Sequence, residues 1–145
     1  MDEIFESHGI RFRYPGFWEI NVEETPDEFS VTVESENTTF WSLTLIFDRP
    51  NPLEIIEASL DIFREEYDEI DVYEKEVELC DLPAVSRDIE FVCLELVNSA
   101  FLRAFQTNRF TALVLFQGTD RELVESKEIL EAISESLQLA DNDAD

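Results

Sequence analysis

Glycine is scarce in this sequence of 145 residues, which contains only Gly9, Gly16 and Gly118. Loops that bind phosphate groups through backbone amides need several glycines at close, fixed spacing, and these three do not provide it. The central glycine and the ligand spacing of an EF-hand are also missing. The sequence therefore predicts neither a nucleotide-binding loop nor a calcium-binding loop.

Histidine and cysteine are almost as rare, with His8, Cys80 and Cys93 as the only examples. One histidine and two cysteines in separate segments cannot form a structural zinc site. A Ser-His-Asp relay would have to use His8. We interpret His8 as a surface turn residue in a frayed segment near the N-terminus. We therefore predict no catalytic residue, no metal and no cofactor, and we do not expect an enzyme.

Basic residues are few as well: ten Lys and Arg stand against 35 Asp and Glu, which gives a formal net charge of −25. A field of this sign repels phosphate backbones and anionic lipid headgroups, so nucleic-acid binding and membrane-surface binding are disfavoured. The charge suits a basic protein partner, weak binding of metal cations or a high-salt environment. It equally suits a surface that serves solubility alone.

Long hydrophobic runs are absent, and none approaches the roughly 20 residues of a membrane-spanning helix. The N-terminal segment MDEIFESHGI has neither the basic nor the apolar region of a secretion signal. These features predict a cytoplasmic protein without membrane insertion. In that compartment Cys80 and Cys93 are expected to be free thiols rather than a disulfide.

Two segments have the periodicity of amphipathic helices. The first follows Asn51 as N-cap and Pro52 at the first helical position, and it extends through NPLEIIEASLDIFREEYDEI. The second begins at Thr119, has Glu122 in place for a capping box, and continues to about Leu139. Each helix has one apolar stripe, so both are expected to pack on a sheet.

The remaining segments alternate with period two or are rich in β-forming residues. The predicted strands are Gly9–Tyr14, Phe17–Glu23, Phe29–Glu34, Phe40–Phe47, Val72–Leu79, Ala84–Val97, Ala100–Gln106 and Phe110–Gln117. In RFRYPGFWEI, the turn Pro15-Gly16 joins the first two strands as a hairpin, and Asn98-Ser99 and Thr107-Asn108 are predicted turns of a later meander. The order ββββαββββα predicts a single-domain α+β sandwich with a mainly antiparallel sheet over residues 1–139, followed by an acidic disordered tail, 140–145.

Two short motifs accompany this element order: Tyr14-Pro15 followed by Trp18, and the turn Leu82-Pro83-Ala84. Together with the order of strands and helices, they resemble the PsbP/Mog-like superfamily, which includes DcrB-type proteins. The resemblance covers about residues 9–139 and implies that superfamily's α+β fold. It also implies a non-enzymatic protein that binds other proteins, and it transfers no functional residue to a numbered position.

The few arginines of the meander are the candidate binding residues. Arg103 shares strand parity with Phe101 and Phe105, and Arg87 lies on the preceding strand, so a sheet face carrying Phe101, Arg103 and Phe105 is predicted as part of a partner groove. The competing interpretation is that these arginines form ion pairs with Glu90, Glu95 or helix carboxylates.

The acidic run REEYDEID, residues 64–71, is interpreted as a solvated helix end, with a docking surface for a basic segment as the alternative. We expect a non-catalytic cytoplasmic protein-binding module, such as an adaptor or chaperone for a basic or aggregation-prone client. The alternatives are a small-ligand-binding protein or enzyme with a cleft between sheet and helix, and an acidic dimer resembling secretion chaperones. We also leave open whether the protein forms a homodimer through an exposed strand.

Overall fold

The computed structural model describes residues 2–140. Their elements are β1 Asp2–Ser7, β2 Ile10–Pro15, β3 Glu19–Glu24, β4 Glu28–Glu34, β5 Phe40–Ile46, α1 Pro52–Glu66, β6 Ile70–Leu79, β7 Leu82–Cys93, β8 Leu96–Gln106, β9 Thr111–Thr119, α2 Asp120–Ser136 and β10 Gln138–Leu139. The predicted α+β class is confirmed. The predicted order ββββαββββα is found from β2 to α2, and the structure adds β1 before it and β10 after it.

The strands form two antiparallel sheets. The large sheet has the order β3-β4-β5-β9-β8-β7-β6, and the small sheet has the order β1-β2-β10. In the large sheet β5 is a central strand, as its apolar sequence predicts, because it pairs with both β4 and β9. Strands β3 and β6 are the two edges.

Period-two alternation divides the large sheet into two faces. On one face Trp41, Leu43 and Leu45 are fully buried in a core completed by α2 and the small sheet. On the other face α1 contributes Ile56 and Leu60 to a second core over β7 and β8. The seven-stranded sheet therefore lies between two apolar layers, which is the predicted sandwich.

Both helix starts agree with the sequence signals. The side chain of Asn51 accepts a hydrogen bond from the amide of Leu53 at 2.9 Å, and Pro52 occupies the first turn. At α2 the hydroxyl of Thr119 accepts from the amide of Glu122, whose carboxylate accepts in return from the amide of Thr119. These bonds satisfy backbone donors that the first helical turn leaves unpaired.

The hairpin predicted for RFRYPGFWEI is wrong, because the two strands on either side of Pro15-Gly16 belong to different sheets. Strand β2 pairs with β1 and β10, whereas β3 pairs with β4. The tight turn is real, since the amide of Trp18 donates to the carbonyl of Pro15 at 3.1 Å. The turn moves the chain from the small sheet to the large one.

The turn predicted at Asn98-Ser99 is also wrong. Both residues lie inside β8, and the chain reverses instead at Leu94-Glu95, between the paired residues Cys93 and Leu96. The predicted acidic tail needs a similar correction at its first residue, because the amide of Ala140 donates to the carbonyl of Gly9 at 2.9 Å. Residues 141–145 of that tail lie outside the described part of the chain.

Candidate functional site

The predicted partner-binding residues share one sheet face, as expected, but that face is core rather than surface. Phe101, Arg103 and Phe105 are only 6%, 7% and 1% exposed. Phe101 and Phe105 belong to the core that α2 and the small sheet cover. A partner groove at these three residues would require α2 to leave the sheet, so accessible binding features must be sought elsewhere.

Arg103 has an intramolecular partner instead. Its guanidinium donates to a carboxylate oxygen of Asp88 at 2.7 Å and lies 5.9 and 5.8 Å from the ring centres of Phe101 and Phe116. The other oxygen of Asp88 lies 3.6 Å from the ammonium of Lys75. Arg87 and Arg103 thus form ion pairs, as predicted, but the predicted partners Glu90, Glu95 and the helix carboxylates are wrong. The partners are Glu74 for Arg87 and Asp88 for Arg103.

His8 is not in a frayed segment, which corrects the expectation from sequence. It forms the turn between β1 and β2, with φ 52°. Its Nδ1 lies 2.6 Å from the hydroxyl of Ser7, its Nε2 lies 2.8 Å from a carboxylate oxygen of Glu24, and its ring stacks on Phe29 at 3.9 Å. Because both ring nitrogens and one face are engaged, His8 links the small sheet to β3 and β4.

The tip of the β7–β8 hairpin exposes an unusual number of aliphatic side chains. Val92, Leu94, Leu96 and Val97 are 60%, 90%, 48% and 45% exposed. Val92 pairs with Val97, and Leu96 pairs with Cys93, so aliphatic residues occur on both faces of the ribbon. Contiguous apolar surface of this kind marks an interaction site more often than scattered single residues do. We call these four residues the hairpin tip.

The backbone of the hairpin tip is strained. Leu94 and Glu95 both adopt the left-handed conformation, with φ of 53° and 66°. Two-residue turns of this form favour Asn-Gly, because a branched side chain at positive φ costs free energy. Leu94 is nine-tenths exposed, so its apolar side chain gains no burial in the free protein that would offset this cost.

The hairpin tip is next to the acidic run 64–71. Ile70 pairs with Phe91, and Asp71 pairs with Glu90, so the chain just before Ile70 approaches the tip. Asp68 and Glu69, which precede Ile70, are exposed. The site therefore combines exposed aliphatic side chains with a strongly negative surround.

The sequence does not reveal the hairpin tip, because Ala84–Val97 has the pattern of one strand and the polar pair Asn98-Ser99 has that of a turn. A two-residue turn at Leu94-Glu95 has no glycine or asparagine to mark it. The usable signal was the excess of aliphatic residues around Glu95. With this turn, Val92 pairs with Val97 across the ribbon, and both side chains are exposed.

A second open feature is a cleft between β2 and α2. Tyr14, Pro15 and Phe17 line one wall, Ile129 and Ala132 line the other, and the volume is about 390 Å³. Phe17 is largely exposed at its edge. This is a cleft between sheet and helix of the general kind that the ligand-binding alternative requires.

Comparisons with known proteins give a likeness at the level of the fold. No family model matches the chain, and no curated protein matches it. A protein from Bacteroides thetaiotaomicron aligns with a TM-score of 0.61 at 15% identity, over 94% of this chain and 47% of its own. This chain thus spans about half the length of that protein.

Two further solved structures align along nearly their whole length. PA94 of Pseudomonas aeruginosa, a protein of unknown function, has a TM-score of 0.56 at 8% identity over 93% of this chain and 94% of its own. LpqN of Mycobacterium tuberculosis, involved in cell envelope biogenesis, has a TM-score of 0.54 at 10% identity over 97% and 91%. At these identities the likeness concerns the α+β fold alone. Within residues 2–140, neither helix has the length and apolar character needed to cross a bilayer.

Proposed function

We propose that this protein is a non-catalytic binding module that holds a protein segment carrying both basic and apolar residues. The observation that carries the proposal is the hairpin tip, where four exposed aliphatic side chains stand beside an acidic run. Apolar contact at the tip would supply affinity, because water leaves these side chains on binding. The negative surround would raise the association rate and select against acidic partners.

The strained turn supports the same proposal. A hairpin that served only to connect two strands would gain stability from Asn-Gly at its apex. The turns His8-Gly9 and Cys80-Asp81 are left-handed too, but there His8 stacks on Phe29 and Cys80 packs against the core. Leu94 differs because its side chain lies in solvent. Strain at a surface loop is often retained where it positions a side chain for contact. An adaptor or chaperone for a basic client fits this arrangement, and we assign the fold, as part of the proposal, to the PsbP/Mog-like group.

Affinity purification from native lysate with the full chain as bait tests the proposal. A protein partner rich in Lys or Arg is expected, and its recovery should fall at least several-fold when Leu94 and Leu96 are both changed to Ser. Val22→Ser is the matched control, because Val22 is an exposed aliphatic residue on β3, at the edge of the large sheet opposite β6. Recovery that is equal for the tip variant and the control would contradict the proposal.

The cleft between β2 and α2 favours one second candidate, a carrier of a small apolar ligand. Its volume of about 390 Å³ is within the range of ligand pockets, and its walls are mainly apolar. Native mass spectrometry of the purified protein distinguishes the two functions. A bound small molecule that is lost in an Ala132→Trp variant, which fills the cleft, would favour this candidate.

A further inference from the structure

We propose that the free edge of β6 binds an extended basic segment of the partner as an added strand. This inference rests on the proposed function and specifies how the partner is held. Strand β6 is the last strand of the large sheet and, among residues 2–140, pairs only with β7. Its outer backbone groups are therefore available for strand addition, a recurrent mode of peptide recognition.

Edge strands are usually protected by shortness, bulges or proline, and β6 has none of these. It is ten residues long, contains no proline, and pairs one-to-one with β7 from Ile70 to Leu79 without a skipped residue. By comparison, the edge strands β1 and β3 have six residues each. Charge is thus the main protection of the β6 edge.

Charge protects this edge only against partners of the same sign. Asp71, Glu76 and Glu78 are exposed, and no ion pair involves them within the described residues. The two other charged residues of β6 have partners on β7. The Glu74 carboxylate lies 3.5 Å from the Arg87 guanidinium, and the Lys75 ammonium lies 3.6 Å from the Asp88 carboxylate. The charges left over on β6 are all negative.

This charge pattern selects the occupant. A second copy of the chain would bring another acidic β6 alongside the first, and like charges on neighbouring strands destabilise pairing. A segment that alternates basic and apolar residues would instead place its cations on the face of β6 that carries Glu76 and Glu78, and its apolar residues on the other face. The occupant is therefore an extended basic segment of another protein.

The edge is also continuous with the hairpin tip. Ile70 at the start of β6 pairs with Phe91, and β7 continues beyond it to Val92 and Cys93. A strand added along β6 would reach the exposed aliphatic residues of the tip at this end. The backbone ladder would then supply affinity, and an apolar side chain of the partner received at the tip would fix the register.

A synthetic peptide of about nine alternating lysine and valine residues is a suitable probe, since this length matches the strand. Isothermal titration with the full chain should detect binding, and hydrogen exchange should show new protection of β6 amides. A copy methylated at two adjacent central backbone nitrogens, one lysine and one valine, removes a donor from each edge of the peptide. We expect this copy to bind at least about tenfold more weakly.

Charge reversal supplies the matched test on the protein. Glu76→Lys with Glu78→Lys should weaken binding of the alternating peptide roughly tenfold. Glu125→Lys with Glu128→Lys changes the net charge equally at exposed positions of α2 and should weaken it far less. Circular dichroism of all variants confirms that they are folded.

The outcomes separate this inference from the proposed function. Equal binding of the methylated peptide, equal effects of the two charge reversals, or no binding of the alternating peptide would each overturn strand addition. The proposed function would survive any of these results if partner recovery still depended on Leu94 and Leu96. Partner recovery that is insensitive to the tip would overturn the proposed function even if the peptide pairs with β6.

Discussion

Arg103 and Asp88 form an ion pair with a 2.7 Å contact, and their side chains are only 8% and 17% exposed. The pair lies between neighbouring strands of the meander, under the edge of the core that α2 covers. Because the Arg103 guanidinium is almost fully buried, water is poorly placed to solvate its charge if the Asp88 carboxylate is removed. The residue that sequence reasoning selected for partner binding therefore has a structural role.

Removing the carboxylate of this pair should destabilise the protein strongly. Asp88→Ala leaves the Arg103 charge buried and unpaired, so the free energy of unfolding should fall by about 3 kcal/mol. Urea unfolding followed by circular dichroism measures the loss. Lys75→Ala removes the exposed partner of the same carboxylate and should cost less than about 1 kcal/mol. Similar losses for the two variants would show that burial does not control this interaction.

Glu122 makes stability depend on acid pH. Burial alone would raise its pKa, but hydrogen bonds from Thr38 and Thr119 outweigh this effect and lower the pKa to about 2. The carboxylate accepts from the amide and hydroxyl of Thr38 at 2.9 and 2.5 Å. Because the folded-state pKa lies below the unfolded value of 4.5, the contribution is complete above pH 4.5 and is lost as the pH falls toward 2.

Comparing Glu122→Gln with the unmodified protein checks this prediction. The variant should be less stable by about 1 kcal/mol at pH 7, and the difference in urea midpoint should shrink between pH 4.5 and pH 2.5. Glu125→Gln, an exposed change on the same helix, is the control and should show little difference at either pH. A difference for Glu122→Gln that stays constant over this range would argue against the capping carboxylate as its origin.

The hairpin tip is predicted to trade stability for binding. Changing Leu94 to Asn and Glu95 to Gly provides the residues that the left-handed turn favours, and should increase the free energy of unfolding by about 1 kcal/mol. The same variant lacks the most exposed aliphatic side chain of the tip, so partner recovery should fall. Thermal unfolding and affinity purification of one preparation measure both effects. A variant that is stabilised and retains its partner would remove the functional reason for the strain.

Cys80 should be unreactive in the folded protein. Burial raises the pKa of its thiol to about 12, with a further contribution from Asp81, and the thiol donates to the carbonyl of Leu137 at 3.4 Å. In a Cys93→Ser variant, which isolates Cys80, a thiol reagent at pH 8 should react slowly in buffer and rapidly in urea, because the thiolate is the reactive species. Rapid reaction without urea would mean that the C-terminal segment opens readily.

The sequence predicts the fold wherever one local rule dominates. The N-cap Asn51 and the capping box of Thr119 and Glu122 are both predicted correctly, because neighbouring residues determine them. The predictions failed where pairing over distance decides. Pro15-Gly16 forms a turn whether or not β2 and β3 pair with each other. Because β2 pairs with β1 instead, β3 lies in the other sheet.

The candidate site was harder to predict for a related reason. Phe101 and Arg103 have the composition of an interface, but whether such a face is surface or core depends on where α2 packs. The hairpin tip depends on β7 ending at Cys93 rather than at the predicted Val97, and a turn at Leu94-Glu95 lacks the residues that usually mark one. The acidic run 64–71 was visible from sequence, whereas its proximity to the tip follows from the β6–β7 register.

The pairing of β10 with β2 also bears on how the protein is made. Strands β6, β7 and β8 pair with their neighbours in the chain, so they can form soon after synthesis, whereas Arg11 must wait for Gln138. Until then β2 has only β1 beside it, and its apolar face is not yet covered by α2. In a nascent chain the small sheet would therefore stay incomplete until β10 has left the ribosome, and this late closure leaves the apolar face of β2 open to misfolding.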